Sequence, residues 1–178
     1  SVIGGTASYG SSSNLNQYPS VGGASYSYNT TGCLAGDGTW TFSYDSENHL
    51  TAASKAGVSA AYAYDPIHRQ GQKNVGGVKT RFIYDGWRRI ADYDGTSGAL
   101  QNRYIYGSGI DEPLLQVTSA GLVSYFHHDR TGSIIAKSDS TGTVTSRYIY
   151  SPNGESPSMA GTSFGFQGQR YDSETGLY

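Results

Sequence analysis

Phe82-Ile83-Tyr84-Asp85-Gly86 sets an aromatic, a spacer, a tyrosine and an aspartate against a glycine, and the pattern recurs along the chain. Upstream stand Tyr26-Ser27-Tyr28-Asn29, Phe42-Ser43-Tyr44-Asp45 and Tyr62-Ala63-Tyr64-Asp65. Downstream follow Tyr104-Ile105-Tyr106-Gly107, Tyr125-Phe126-His127 with His128-Asp129, and Tyr148-Ile149-Tyr150-Ser151. Read this way, the second aromatic positions 28, 44, 64, 84, 106, 127 and 150 step by 16, 20, 20, 22, 21 and 23 residues. Such a period marks a stacked array, in which each unit buries its apolar face against its neighbours.

Alternation in Phe-Ile-Tyr puts both aromatics on one face of a strand and the spacer on the other. The bends are written just as plainly. Asn29-Thr30-Thr31-Gly32, Thr118-Ser119-Ala120-Gly121, Asp129-Arg130-Thr131-Gly132 and Asp139-Ser140-Thr141-Gly142 share a polar first residue and a glycine three later. The first side chain accepts backbone N–H bonds and the glycine takes positive φ, which closes a hairpin. Asp85-Gly86, Asp94-Gly95 and Asn153-Gly154 add further tight turns. Asp45, Asp65 and Asp85 are therefore turn acceptors rather than catalytic acids. One coil of a parallel β-helix also fits the period, but hairpin turns favour antiparallel winding. The predicted fold is all-β, built of successive antiparallel hairpin repeats.

Composition agrees. The 178 residues are only 36% hydrophobic, yet carry 16 Tyr and 5 Phe, whose rings bury area while hydroxyls stay hydrogen-bonded. With 25 Gly and 15% charged residues the chain disfavours helix. A net charge of −2 argues against nucleic acid as a partner, and Arg81, Arg88, Arg89 and Arg103 read as the outer face of a hairpin. No apolar run approaches the roughly 20 residues of a membrane-crossing helix. Cys33 stands alone, so no intrachain disulfide forms. Ser1-Val2-Ile3-Gly4-Gly5 is neither a signal peptide nor an initiator start, as expected of a fragment. Residues 1–25, rich in Gly and Ser, are expected to be an edge strand or disordered.

Tyr125, His127 and Arg130 are the densest titratable set and the residue types of a polysaccharide lyase: a base beside a cation that neutralises a carboxylate. The competing reading makes them repeat and turn positions, and it prevails, leaving no catalytic residue. No metal site is expected, since adjacent His127 and His128 point to opposite strand faces and His49 and His68 lie in separate repeats. No cofactor is expected either, because no spaced-glycine phosphate loop or nucleophile elbow occurs.

The blocks resemble the YD repeats of Rhs and teneurin-like proteins. The more specific match lies in Tyr104-Ile-Tyr-Gly-Ser-Gly-Ile-Asp-Glu-Pro-Leu115, His128-Asp-Arg-Thr-Gly-Ser-Ile134, Arg147-Tyr-Ile-Tyr-Ser-Pro-Asn-Gly-Glu155 and Phe164-Gly-Phe-Gln-Gly-Gln-Arg-Tyr-Asp-Ser-Glu-Thr-Gly-Leu-Tyr178. These resemble, in order, the Rhs core segment. The resemblance implies YD repeats over 26–103 and a core-like segment over 104–178, truncated at its end. It also implies that the hairpin repeats form a spiralling β-sheet ribbon, part of a hollow, non-catalytic shell that encloses or presents a C-terminal toxin for secretion and delivery. Tyr148, Tyr171, Asp172, Gly132 and Gly142 then join the structural repeat positions. The expected partners are the remainder of the parent chain, the toxin cargo and other copies through open sheet edges, with a secreted or cell-surface location. The alternative is a secreted carbohydrate-binding or polysaccharide-cleaving β protein.

Overall fold

The computed structural model describes residues 7–178, so the Gly4-Gly5 part of the N-terminal expectation lies outside the described residues. Two compact units are present, Ser1–Lys79 and Thr80–Tyr178. In the first, β1 (Ser20–Val21) and β2 (Ala24–Ser25) form a short hairpin across Gly22-Gly23. Then β3 (Ser27–Tyr28), β4 (Leu34–Gly36), β5 (Thr41–Tyr44), β6 (Leu50–Lys55), β7 (Val58–Tyr64) and β8 (Gln70–Val75) pair antiparallel in chain order. In the second unit β9 (Val78–Asp85), β10 (Arg88–Asp94), β11 (Leu100–Tyr106), β12 (Pro113–Thr118), β13 (Val123–His128), β14 (Ile134–Ser138) and β15 (Val144–Arg147) do the same. Each unit is thus an antiparallel meander, as the turn chemistry predicts. Among the described residues the helical content is one 3-10 turn, Phe166–Gly168.

One turn geometry recurs. Asp45, Asp65, Asp129 and Asp139 each accept, through Oδ1, the N–H groups two and four residues on, at 2.8–3.0 Å. Asn29 does the same at 2.8 and 3.1 Å. The residue three after the acceptor has positive φ: Gly32, Gly132 and Gly142 in three of these turns, Asn48 and His68 in the other two. Hydrogen bonds to the charged form lower the acceptors' pKa; the Thr141 hydroxyl and then the Thr141 N–H do so at Asp139.

Each turn is followed by a slip in register. Ser43 pairs with Ala52 but Tyr44 with Leu50, and the same one-residue skip follows Ser27, Ala63, Ile105 and His127. This is a β-bulge, which takes one residue out of the ladder. The carbonyl next to the skipped residue accepts the tyrosine hydroxyl of the following repeat. Tyr44 donates to Leu34 O at 2.9 Å, Tyr64 to Leu50 O at 3.0 Å, Tyr106 to Arg89 O at 3.0 Å and Tyr150 to Ile134 O at 2.7 Å. In each case the acceptor residue is the strand partner of the preceding block's second aromatic. In these four blocks the second aromatic therefore clasps the hairpin before it.

The first aromatic supplies the core. Phe42, Tyr62, Phe82, Tyr104, Phe126 and Tyr148 are all buried. In the first unit Trp40, Phe42, Ala53, Ala60 and Tyr62 form one cluster. The structure corrects one block of the sequence reading. Phe126 is buried at 6% exposure while Tyr125 is 42% exposed, so the block is Phe126-His127-His128 and the second position is His128, not His127. The aspartate sets the count: the second aromatic immediately precedes the turn acceptor, and the acceptor here is Asp129. With that change the positions 44, 64, 84, 106, 128 and 150 step by 20, 20, 22, 22 and 22.

Two outcomes are expected. Tyr44→Phe keeps the ring and removes the hydroxyl clasp, which should lower stability by about 1 kcal/mol in urea unfolding. The lowered pKa of Asp139 stabilises the fold above the unfolded carboxylate value near pH 4, and that contribution is lost as pH falls through the lower folded value. Asp139→Asn, which keeps the acceptor oxygen but cannot titrate, should flatten the acid-unfolding curve followed by circular dichroism.

A candidate functional site under the C-terminal segment

In the second unit the buried rings of β11, β13 and the residues after β15 form a face that the last part of the chain covers. Phe164, 1% exposed, is the centre of the cover. Its ring stands edge-on to Tyr104 at 5.1 Å and 85°, Phe126 at 5.5 Å and 72°, and Tyr106 at 6.1 Å and 86°. Edge-to-face packing aims the positive ring rim at the negative ring face, so these contacts add to burial. Ile134, Tyr148 and Met159 complete the cluster.

Polar bonds hold the cover along its length. Ile134 N–H donates to Gly165 O at 3.0 Å, Gln167 N–H to Ser133 Oγ at 3.0 Å, and the Tyr148 hydroxyl to Ala160 O at 3.0 Å. Lys137 Nζ donates to Gly161 O, and burial lowers its pKa. Gly168, at φ +71°, lies where an added Cβ would come within 1.8 Å of the Asp111 carbonyl oxygen, so the backbone approach there requires glycine.

Beneath the cover lies an ionic centre. Asp92, 4% exposed, accepts Arg89 Nε at 2.7 Å and Arg170 Nη2 at 3.3 Å on Oδ1, and the Tyr104 hydroxyl at 2.5 Å on Oδ2. The Arg170 guanidinium sits 4.6 Å from the Tyr104 ring centre and 4.4 Å from that of Phe164. One carboxylate thus meets two guanidiniums, and the ring faces absorb part of the surplus positive charge. Burial, then the nearby Arg170 charge, pulls the Arg89 guanidinium down to about 10, and burial pushes the Tyr106 hydroxyl up to about 12. Asp92 has three donors on its two oxygens and so ties Arg89, Arg170 and Tyr104 together. An open cleft of about 510 Å³ lies alongside, lined by Gln116, Met159, Thr162 and Tyr171 among others.

Sequence reasoning passed over Asp92, Phe164 and Arg170 as site residues, and its placing of Arg89 on the outer face of a hairpin is overturned, since that side chain is largely buried against Asp92. A signal was available in Asp92, a carboxylate alternating with apolar residues inside a strand, a poor place for aspartate unless it is paired. Tyr171 packs against the cluster and Asp172 is a turn residue, its N–H donating to Leu177 O at 2.8 Å. Tyr125 and His127 share the strand face opposite Phe126, where His127 Nε2 lies 2.9 Å from Ser138 Oγ, while Arg130 sits in the exposed turn. His128 takes the clasp position, beside the Pro113 carbonyl, and burial lowers its pKa. The expectation that separate repeats keep His49 and His68 apart is overturned: His68 Nδ1 lies 3.1 Å from His49 Nε2. Turns on alternate connections stack on one edge, so a repeat of separation in sequence is contact in space.

The family model for the teneurin YD-shell matches residues 11–178. The chain belongs to the teneurin YD-shell family. Similar curated proteins are the tRNA3(Ser)-specific nuclease WapA of Bacillus spizizenii, 32% identical over 174 residues, and the tRNA nuclease WapA of Bacillus subtilis strain 168, 33% identical over 175 residues. Each alignment covers 92% of this YD-shell chain and 7% of the relative, so the chain corresponds to a small part of those proteins. Among solved structures, the Photorhabdus luminescens Tc holotoxin pore is similar with a TM-score of 0.54 at 14% identity, over 86% of this chain and 8% of that one. That likeness shows the fold.

Phe164→Ala should remove the wedge of this YD-shell cover and cost about 3–5 kcal/mol. Chemical unfolding would measure the loss, with faster protease cleavage within residues 156–178 as the accompanying sign.

Proposed function

We propose that this chain is a non-catalytic wall of a hollow YD shell that encloses or presents a toxic effector, exported with its parent polypeptide. The observation that carries the reading is the covered aromatic face: the chain spends its buried carboxylate and its most buried ring on anchoring its own last segment over the sheet. Such an anchor builds a wall and offers no reacting group. Membership of the YD-shell family supports it, as do the relatives named as tRNA nucleases, of which this chain matches only a small part. A nuclease would then be cargo of the shell, and its catalytic groups would lie outside these residues. Wall tyrosines suit that task, because a ring packs between repeats while polar groups remain available to a partly unfolded guest. Residues 26–103 would supply the repeats and residues 104–178 the core-like closing part. Further partners are the rest of the parent polypeptide and, through unpaired strand edges, other copies.

Protease treatment of the full-length parent protein tests this directly. The effector should resist digestion until the shell is unfolded, and Phe164→Ala with Arg170→Ala should hasten its loss. An effector digested as fast in the intact protein as when free would overturn the reading. So would release of unsaturated products from acidic polysaccharides by the chain itself, abolished by Tyr125→Phe or His127→Gln.

A further inference from the structure

The turns β5–β6 and β7–β8 bring together three side chains with metal-ligating atoms: Glu47, His49 and His68, whose ligand atoms all lie within 4.8 Å of one another. We propose that they bind one divalent transition ion of the zinc class, tying two turns on alternate connections of the first unit.

The tautomer of His49 supports this. Its Nδ1 lies 3.0 Å from Asp45 Oδ2, and a carboxylate can only accept, so Nδ1 carries the proton and Nε2 presents a lone pair. That is the arrangement by which metal-ligating histidines are oriented: one ring nitrogen held by a carboxylate, the other turned to the ion. Asp45 itself is fixed, since its Oδ1 accepts the N–H groups of Glu47 and His49. The His49 ring stacks on Tyr64 at 4.6 Å and 24°, and Tyr64 is held by its bond to Leu50 O, so the ligand is preorganised on both sides.

His68 supplies the second lone pair. It stands at φ +69°, the turn position held by Gly32, Gly132 and Gly142 in other repeats. From that left-handed position its ring reaches the neighbouring turn, with Nδ1 3.1 Å from His49 Nε2 and 3.5 Å from Glu47 Oε2. Two nitrogens bound at about 2.0–2.1 Å to a tetrahedral ion lie about 3.3 Å apart, so the pair needs only a few tenths of an ångström to admit one. Two imidazoles and one carboxylate favour Zn2+, Ni2+ or Cu2+ over Ca2+ or Mg2+, which prefer oxygen donors. Glu47 and His68 are exposed, so the ion has a path in and water completes its coordination.

Calorimetric titration of the untagged chain with Zn2+ should give one site of micromolar affinity and raise the thermal midpoint. His68→Asn is suited to positive φ, as Asn48 is at the equivalent place. That variant and His49→Gln should each weaken binding at least tenfold while keeping the metal-free circular dichroism spectrum, and Glu47→Gln should weaken it several-fold. His127→Gln and Cys33→Ser should bind as the parent does. Co2+ should give the visible absorption of a low-coordinate site with nitrogen ligands. Absence of binding at submillimolar Zn2+, undiminished binding after both histidine changes, or loss of binding in Cys33→Ser alone would overturn the proposal.

Discussion

The bond from a tyrosine hydroxyl to a carbonyl one hairpin back is the interaction on which the rest depends. A bulge after each turn takes one residue out of the ladder, and a buried carbonyl without a partner is costly. Tyrosine answers this with a single side chain, because its ring fills the space between hairpins and its hydroxyl lands on the carbonyl at 2.7–3.0 Å. Phenylalanine would fill the space and leave the oxygen bare; serine would satisfy nothing at that reach. The abundance of tyrosine in a chain poor in aliphatic residues follows from that double duty.

Much of this was legible in the residues. The aromatic-spacer-tyrosine-aspartate blocks state the strand, its inward face and the bend that ends it, and the meander follows. The family resemblance, carried by the ordered series after residue 81, is matched by the YD-shell family. What misled was the block at residues 125–129, where four aromatic or imidazole rings in succession allowed two frames. Counting back from the turn acceptor resolves it, since the acceptor fixes the bulge and the bulge fixes which ring clasps.

The closing segment was legible only in part. Phe164 and Arg170 lie in irregular backbone with no period to betray their burial, and their partners are far off in sequence, at Asp92 and Tyr104. The meeting of His49 with His68 escaped for a related reason. Separation by one repeat reads as distance along a chain, whereas in a meander every second turn lies on the same edge and comes back beside its predecessor.

Each clasp reaches one hairpin back and no further. The fold therefore has a grammar in units of two strands: adding or deleting a whole hairpin leaves every remaining bond with its partner, while adding a single strand would carry the next tyrosine to the wrong edge. A gene encoding such repeats can lengthen or shorten by duplication of about twenty codons at a time without inventing a new contact, and the reach of the sheet becomes a matter of copy number.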